Sequence, residues 1–253
     1  MITPALERRL HASGIHLAIS ALVLLVPLFL IFYSWFPAPY FDSDGGLQAV
    51  VILSMVHFFI GPVLTFVVFS PDKSMGKIKF DFVVIGLLQI TALTFGSYLF
   101  YNERPVIIVF AKDKFLPVSA NVIHQQGASV ADLRAFGAQS PALVFSRPPA
   151  EKEDFAQMML LALNEGIDIV AQVKTFEPLS DHLSEVAGKG LDPSPLVEEN
   201  SAFGEELEAF LKARGARKEN YIYVPFNGRY KKILFAIDQQ GRFAGALYSA
   251  YNS

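Results

Sequence analysis

The chain has no cysteine and a single tryptophan in 253 residues. Without thiols, disulfide staples, zinc–thiolate sites, iron–sulfur clusters and thiol catalysis are all excluded. Any soluble part must be held by core packing alone, which a segment of about 150 residues can achieve. Charge is scarce in one half: residues 1–100 hold 5 of the 21 Lys and Arg and 5 of the 24 acids. No concentrated cationic run occurs, so nucleic acid is not expected as a partner. A nucleophile elbow, a phosphate-binding glycine loop and a dinucleotide fingerprint are also missing. The five histidines, at 11, 16, 57, 124 and 182, include no i, i+4 pair of the kind a helical metal site uses. Acids cluster at 151–154, 198–199 and 205–208, where they suit helix starts and solubility. The expectation is a protein that is not an enzyme and that holds no cofactor and no metal.

Apolar length is what the first half does have. Residues 14–35, 47–69 and 82–101 are three stretches whose ionisable groups amount to His16 and His57. About 20 residues at 1.5 Å rise cover a bilayer core of about 30 Å. The expected fold is a membrane protein with three transmembrane helices over 1–101, set in the lipid bilayer, followed by an α+β domain over 102–253. Three spans place the termini on opposite sides. Arg8 and Arg9 precede the first span, and Lys73, Lys77 and Lys79 lie between the second and third. The 36–46 loop has no Lys or Arg and carries Asp42 and Asp44. The positive-inside rule therefore puts the N-terminus in the cytoplasm and the tail outside, in the periplasm of a Gram-negative cell. The first apolar run is too long for a signal peptide and no small-x-small site follows it, so it is expected to stay as an anchor.

The tail patterns as α+β. Strands are expected at 104–110 and 115–120, turned by Asp113-Lys114, and at 142–145. Helices are expected at 129–137, at 151–164 with Phe155, Met158, Met159 and Ala162 inward, at 180–188, and at 201–214 with Phe203, Leu207, Phe210 and Leu211 inward. Residues 167–175 look extended, and 189–200, rich in Gly, Pro and acids, looks like a mobile loop. The final third patterns as an antiparallel β-meander, 221–226, 230–237 and 243–251, with Asn227-Gly228 as a tight hairpin signal.

Polar and small residues within the spans are the candidate site. His57 lies mid-span, four residues before the Gly61-Pro62 pair that should kink its helix. Gly86, Gln89, Ala92 and Gly96 recur at spacings of three and four in the third span. Such a face either packs the three spans together or receives a transmembrane helix from a partner. Asp42 and Asp44 keep their loop in water or touch a partner. Arg104 joins the third span to the tail and is expected to set the domain's angle. Tyr221 and Tyr223 fall on one face of the meander, as core or as an aromatic edge where a partner strand adds.

The first half resembles the type IV pilin accessory protein family (the TfpX/TfpZ group). The matching pieces are Trp35-Phe-Pro-Ala-Pro-Tyr-Phe-Asp-Ser-Asp-Gly-Gly46 and Gly61-Pro-Val-Leu-Thr-Phe-Val-Val-Phe-Ser-Pro71. They continue with Lys79-Phe-Asp81, Gln89-Ile-Thr-Ala-Leu-Thr-Phe-Gly96 and Arg104-Pro-Val-Ile-Ile-Val-Phe-Ala-Lys-Asp-Lys-Phe115. One departure is His57, where the family pattern leads one to expect an acid. The resemblance implies an inner-membrane chaperone that stabilises or presents the major pilin before assembly. The spans would then take the pilin's transmembrane helix and the tail its periplasmic head. The rival expectation is a membrane-anchored periplasmic ligand-binding sensor. Against it, each cytoplasmic segment is only about ten residues, too short for an output domain. A glycosyltransferase acting on pilin is a third reading, with Asp42 and Asp44 as its thin support.

Overall fold

A computed structural model describes residues 3–137 and 140–251. It divides the chain into two compact units. The first comprises residues 3–41 with Gly45–Asn102. The second comprises Asp42–Asp44 with residues 103–251.

The first unit is three helices long and apolar enough to cross a membrane, Pro4–Trp35, Gly46–Val68 and Met75–Glu103. At 1.5 Å per residue each exceeds a hydrocarbon core of about 30 Å, so all three have length to tilt or to extend beyond it. Helix α1 (Pro4–Leu30) starts at Thr3, whose hydroxyl accepts from Leu6 N, with Pro4 in the first turn, where its missing N–H costs nothing. It runs on through a π-helical turn, Ile31–Trp35, four residues after Pro27. A short helix α2 (Tyr40–Ser43) follows. The second span is not a plain kinked helix. α3 (Gly46–Met55) widens into a π-helical turn at Val56–Ile60, and α4 (Gly61–Val68) resumes. Pro62 offers no N–H and its ring crowds the preceding turn, and the wider turn just upstream accommodates both effects. α5 (Met75–Glu103) is the third span. Lys73 closes the loop before it, donating to the Val68 carbonyl and pairing with Asp81 at 2.7 Å.

The core of this unit lies at one end. Leu24, Ile31, Trp35, Phe36, Ala49 and Leu53 are buried together, with Leu93 and Phe100 of α5 packed against them. This is the end next to the 36–46 loop.

The second unit is a seven-stranded mixed sheet in the order β4-β3-β1-β2-β5-β6-β7. β1 (Pro105–Ala111) and β2 (Lys114–Ser119) form a hairpin. Its two-residue turn is Lys112-Asp113, both at positive φ, which the right-handed strand twist favours. α6 (Ala120–Gln125) leads toward β3 (Ala142–Ser146), which lies parallel to β1. α7 (Lys152–Glu165) precedes β4 (Phe176–Pro178) at the edge. α8 (Leu183–Gly188), α9 (Ser194–Glu199) and α10 (Ser201–Arg214) come before the meander β5 (Tyr221–Asn227), β6 (Lys232–Asp238) and β7 (Phe243–Leu247). α10 buries Phe203, Leu207 and Phe210 and ends at Gly215 with φ +58°.

Several expectations for this unit are corrected. Residues 167–175 are two 3₁₀ turns, because Asp168 caps Val170 and the buried Gln172 amide bonds the Met158 and Ile167 carbonyls. The 189–200 segment is ordered: it carries α9, and Leu191 bridges to Tyr223. α7 buries Met158 alone, while Phe155 and Met159 are each 39% exposed, since the helix rests on the 169–171 turn along one line. Periodicity located the apolar face but not how much of it would be covered.

β2 and β5 are paired only at Phe115↔Phe226. Side chains strengthen that junction. Rings run across six strands: Phe145–Phe110 at 5.7 Å, Phe110–Phe115 at 5.4 Å, Phe115–Phe235 at 5.8 Å, Phe226–Phe235 at 4.4 Å and Phe235–Phe243 at 4.8 Å. Each such pair adds about 0.5–1.5 kcal/mol beyond area burial. Phe235 touches three of the others, so Phe235→Ala is expected to cost about 3–5 kcal/mol. Phe145→Ala, at the half-buried end, should cost clearly less. Denaturant titration of the full-length chain in detergent, followed by proteolysis of the tail, measures both.

Candidate functional site

The candidate site is built on α1, which meets the second span closely. Ser13 Oγ donates to the Pro62 carbonyl at 2.8 Å. His16 reaches two spans at once: Nε2 lies 2.5 Å from Gln89 Oε1 on α5 and Nδ1 lies 2.8 Å from Thr65 Oγ1 on α4. With the amide oxygen facing the ring, Nε2–H donates to Gln89 and Nδ1 accepts the Thr65 hydroxyl proton. The node needs Gly61. A Cβ there would stand 1.9 Å from Gln89 Nε2 and 2.8 Å from His16 Nε2. Gln89 Nε2 is itself buried without a partner, packed against that glycine.

Below this node and beside it the helices part. An open cavity of about 910 Å³ is lined on α1 by residues from Pro4 to Val23, on α5 by Phe82, Gly86, Gln89, Ile90 and Leu93, and by His57 and Phe69. Along α1 that run covers about 28 Å. The cavity's inner end is closed by the packed Leu24–Leu53–Leu93 region, and its mouth carries Glu7, Arg8 and His11. His57 is 2% exposed at the inner end, its Nδ1 3.0 Å from the Leu53 carbonyl.

The candidate residues thus separate. His57, Gly86 and Gln89 line the cavity, and Gly61, Pro62 and Gln89 form the packing node. Gly96 packs on Leu53, since a Cβ would stand 2.8 Å from Leu53 Cδ2. Ala92 faces away, in a separate apolar depression with Leu88 and Phe95. His16, Thr65 and Ser13 were not singled out as site residues; the available signal was an ionisable side chain inside an apolar run.

Within the second unit, the aromatic-edge reading fails. β5 is an interior strand between β2 and β6, Tyr223 is 3% exposed, and Tyr221 packs edge-on against Phe210 at 5.2 Å. Neither tyrosine stands where a partner strand can add. The solvated-loop reading of Asp44 fails too, because it is 2% exposed. Asp44 Oδ1 accepts from Arg229 N at 3.1 Å, and the Ser43 carbonyl accepts from Tyr230 N at 2.9 Å. The β5–β6 connection is therefore the four-residue loop 228–231, with Gly228 N bonding Lys231 O, rather than a tight Asn-Gly turn. A Cβ on Gly228 would stand 2.4 Å from the Ser43 oxygen. Asp42 is half-buried beside them. The Arg104 carbonyl accepts from Ala120 N as β1 begins.

Known proteins bear on a membrane unit of this form. The profile of the fimbrial assembly protein FimB family matches residues 4–45. The fimbrial assembly protein of serogroups C1 and C2 of Dichelobacter nodosus is 36% identical over 101 residues, which is 40% of this chain and 77% of that protein. The chain belongs to the fimbrial assembly protein family. A second relative from the same organism, the serogroup E1 fimbrial assembly protein, is 37% identical over 101 residues, and that match spans 39% of it. The serogroup I protein is 26% identical over 217 residues, 84% of each chain. No solved structure matches the chain. Membership agrees with the resemblance to type IV pilin accessory proteins and supports a role in pilus biogenesis.

Two expectations follow for this fimbrial assembly protein. Gly61→Ala should break the His16–Gln89 contact and lower thermal stability in detergent by about 1–3 kcal/mol. Gly86→Ala, where nothing lies within 4 Å of the added Cβ, should leave it unchanged. Burial pushes the Asp44 carboxyl up to about 6 from its ordinary 3.8; the nearby Glu103 charge adds to this, while the Arg229 N–H and guanidinium act against it. The folded state thus holds this proton more tightly than the unfolded chain. The group's stabilising share is complete below about pH 4 and is lost as pH rises through about 6. Asp44→Asn should match wild type at pH 4 and exceed it at pH 7.5 by up to about 3 kcal/mol. Thermal unfolding across that range is the measurement.

Proposed function

We propose that this protein is an inner-membrane accessory factor that holds the major type IV pilin before it is polymerised. Its N-terminus lies in the cytoplasm and its sheet domain in the periplasm, as the cations at Arg8, Arg9, Lys73, Lys77 and Lys79 favour. The role is binding, not catalysis. The observation that carries this reading is the laterally open, mostly apolar groove between α1 and α5, in a member of a fimbrial assembly family. A pilin subunit awaiting assembly has a long apolar helix that must sit in the bilayer. Helix association in lipid is driven by close packing and a few polar contacts rather than by the hydrophobic effect. A groove lined by Ala12, Ser20 and Gly86 suits such packing, and its modest size permits release. A second, weaker contact between the sheet domain and the pilin head would raise the effective concentration of the first.

Deleting the gene in its native strain and measuring major pilin in the membrane tests this. Pilin should fall severalfold with its transcript intact, and the full-length protein should restore it where the soluble tail alone does not. Unchanged pilin and normal pili would contradict the reading.

A further inference from the structure

At the inner end of the groove the His57 ring leaves one nitrogen unused. A carbonyl can only accept, so Nδ1 carries the proton that bonds Leu53 O at 3.0 Å. A neutral ring then has a lone pair on Nε2. His57 lines the cavity, and Nε2 meets no hydrogen-bond partner among the described residues. The side chain is 2% exposed, so its orientation is set by packing. It sits in the π-helical turn Val56–Ile60, a geometry common at functional sites. By residue count it lies about 16 Å from either end of its span, at the middle of that helix. Ser20, 4% exposed, lines the same part of the groove.

An acceptor at that depth is selective. Acyl chains carry no donor, so a lipid in the groove leaves Nε2 unsatisfied. A free cation would be without compensation, since among the described residues the only carboxylate lining the groove is Glu7, at the mouth. A polypeptide helix bonds its own backbone and can offer only side chains. We infer that the groove receives a transmembrane helix bearing one uncharged side-chain donor, a hydroxyl or carboxamide, at mid-span depth, and that His57 Nε2 accepts from it. This rests on the pilin-binding reading and adds the feature by which the helix is recognised and set in register.

The test places a photocrosslinking residue at Ile90 in the full-length chain, expressed with the major pilin in the native strain. His57→Asn keeps an N–H near the position of Nδ1 but has no acceptor at Nε2. His57→Gln reaches the Nε2 position with its amide oxygen. Normalised to protein in the membrane fraction, the Asn variant should crosslink pilin about fivefold less, the loss of one net hydrogen bond of about 1 kcal/mol. The Gln variant should stay within twofold of wild type. Equal crosslinking in all three overturns the donor inference and leaves pilin binding standing. An equal loss in both variants assigns the effect to ring packing and also overturns it. Crosslinks to lipid only, or to no protein, in the His57 chain overturn the pilin-binding reading itself.

Discussion

Within the apolar spans, His16 places both of its ring nitrogens, bonding a second-span threonine and a third-span glutamine. That arrangement forces α1, α4 and α5 to within side-chain reach of one another, and Gly61 is the residue that makes room. The rest of the membrane unit follows from the position of this node. Toward the 36–46 loop the helices close on Leu24, Leu53 and Leu93. Toward the N-terminus nothing comparable joins α1 to α5 among the described residues, and the groove opens there. A three-helix unit packed along its whole length would offer no such space, while one without the node would have no fixed groove wall.

The sheet domain uses a different economy. With no cysteine, it relies on an aromatic ladder to carry cohesion across the single-bridge junction of β2 and β5. Residues 42–44 complete it, because the 228–231 loop leaves backbone N–H groups that need acceptors. The Ser43 carbonyl and the Asp44 carboxylate supply them. A charge buried for that purpose is held at a cost, which is why the Asp44 proton is retained to higher pH.

Much of this was legible beforehand, for reasons that differ by element. The spans announce themselves by apolar length, and α10 by its Phe203–Leu207–Phe210 spacing and terminal Gly215. The small-residue face of α5 was visible as a pattern, but its division was not. Gly96 packs, Gly86 opens on the groove and Ala92 faces away, and that depends on which neighbours stand where. Asp44 was misread because an acid in a loop is ordinarily solvated; its burial depends on a loop 185 residues away in sequence. Tyr223 is core, as the first of its two readings had it; the aromatic-edge alternative fails because strand order, which sequence pattern does not fix, puts β5 in the sheet interior.

In the proposed role the α1–α5 groove, and not another face of the membrane unit, receives the pilin helix. The absence of native cysteine allows a direct measurement. A single cysteine at Gly86, in the groove, or at Leu88, on the opposite side of α5, is labelled in membranes by a lipid-soluble maleimide with and without the major pilin. Pilin should slow labelling at 86 severalfold and leave labelling at 88 unchanged. Protection at 88 instead, or at neither position, would contradict that role.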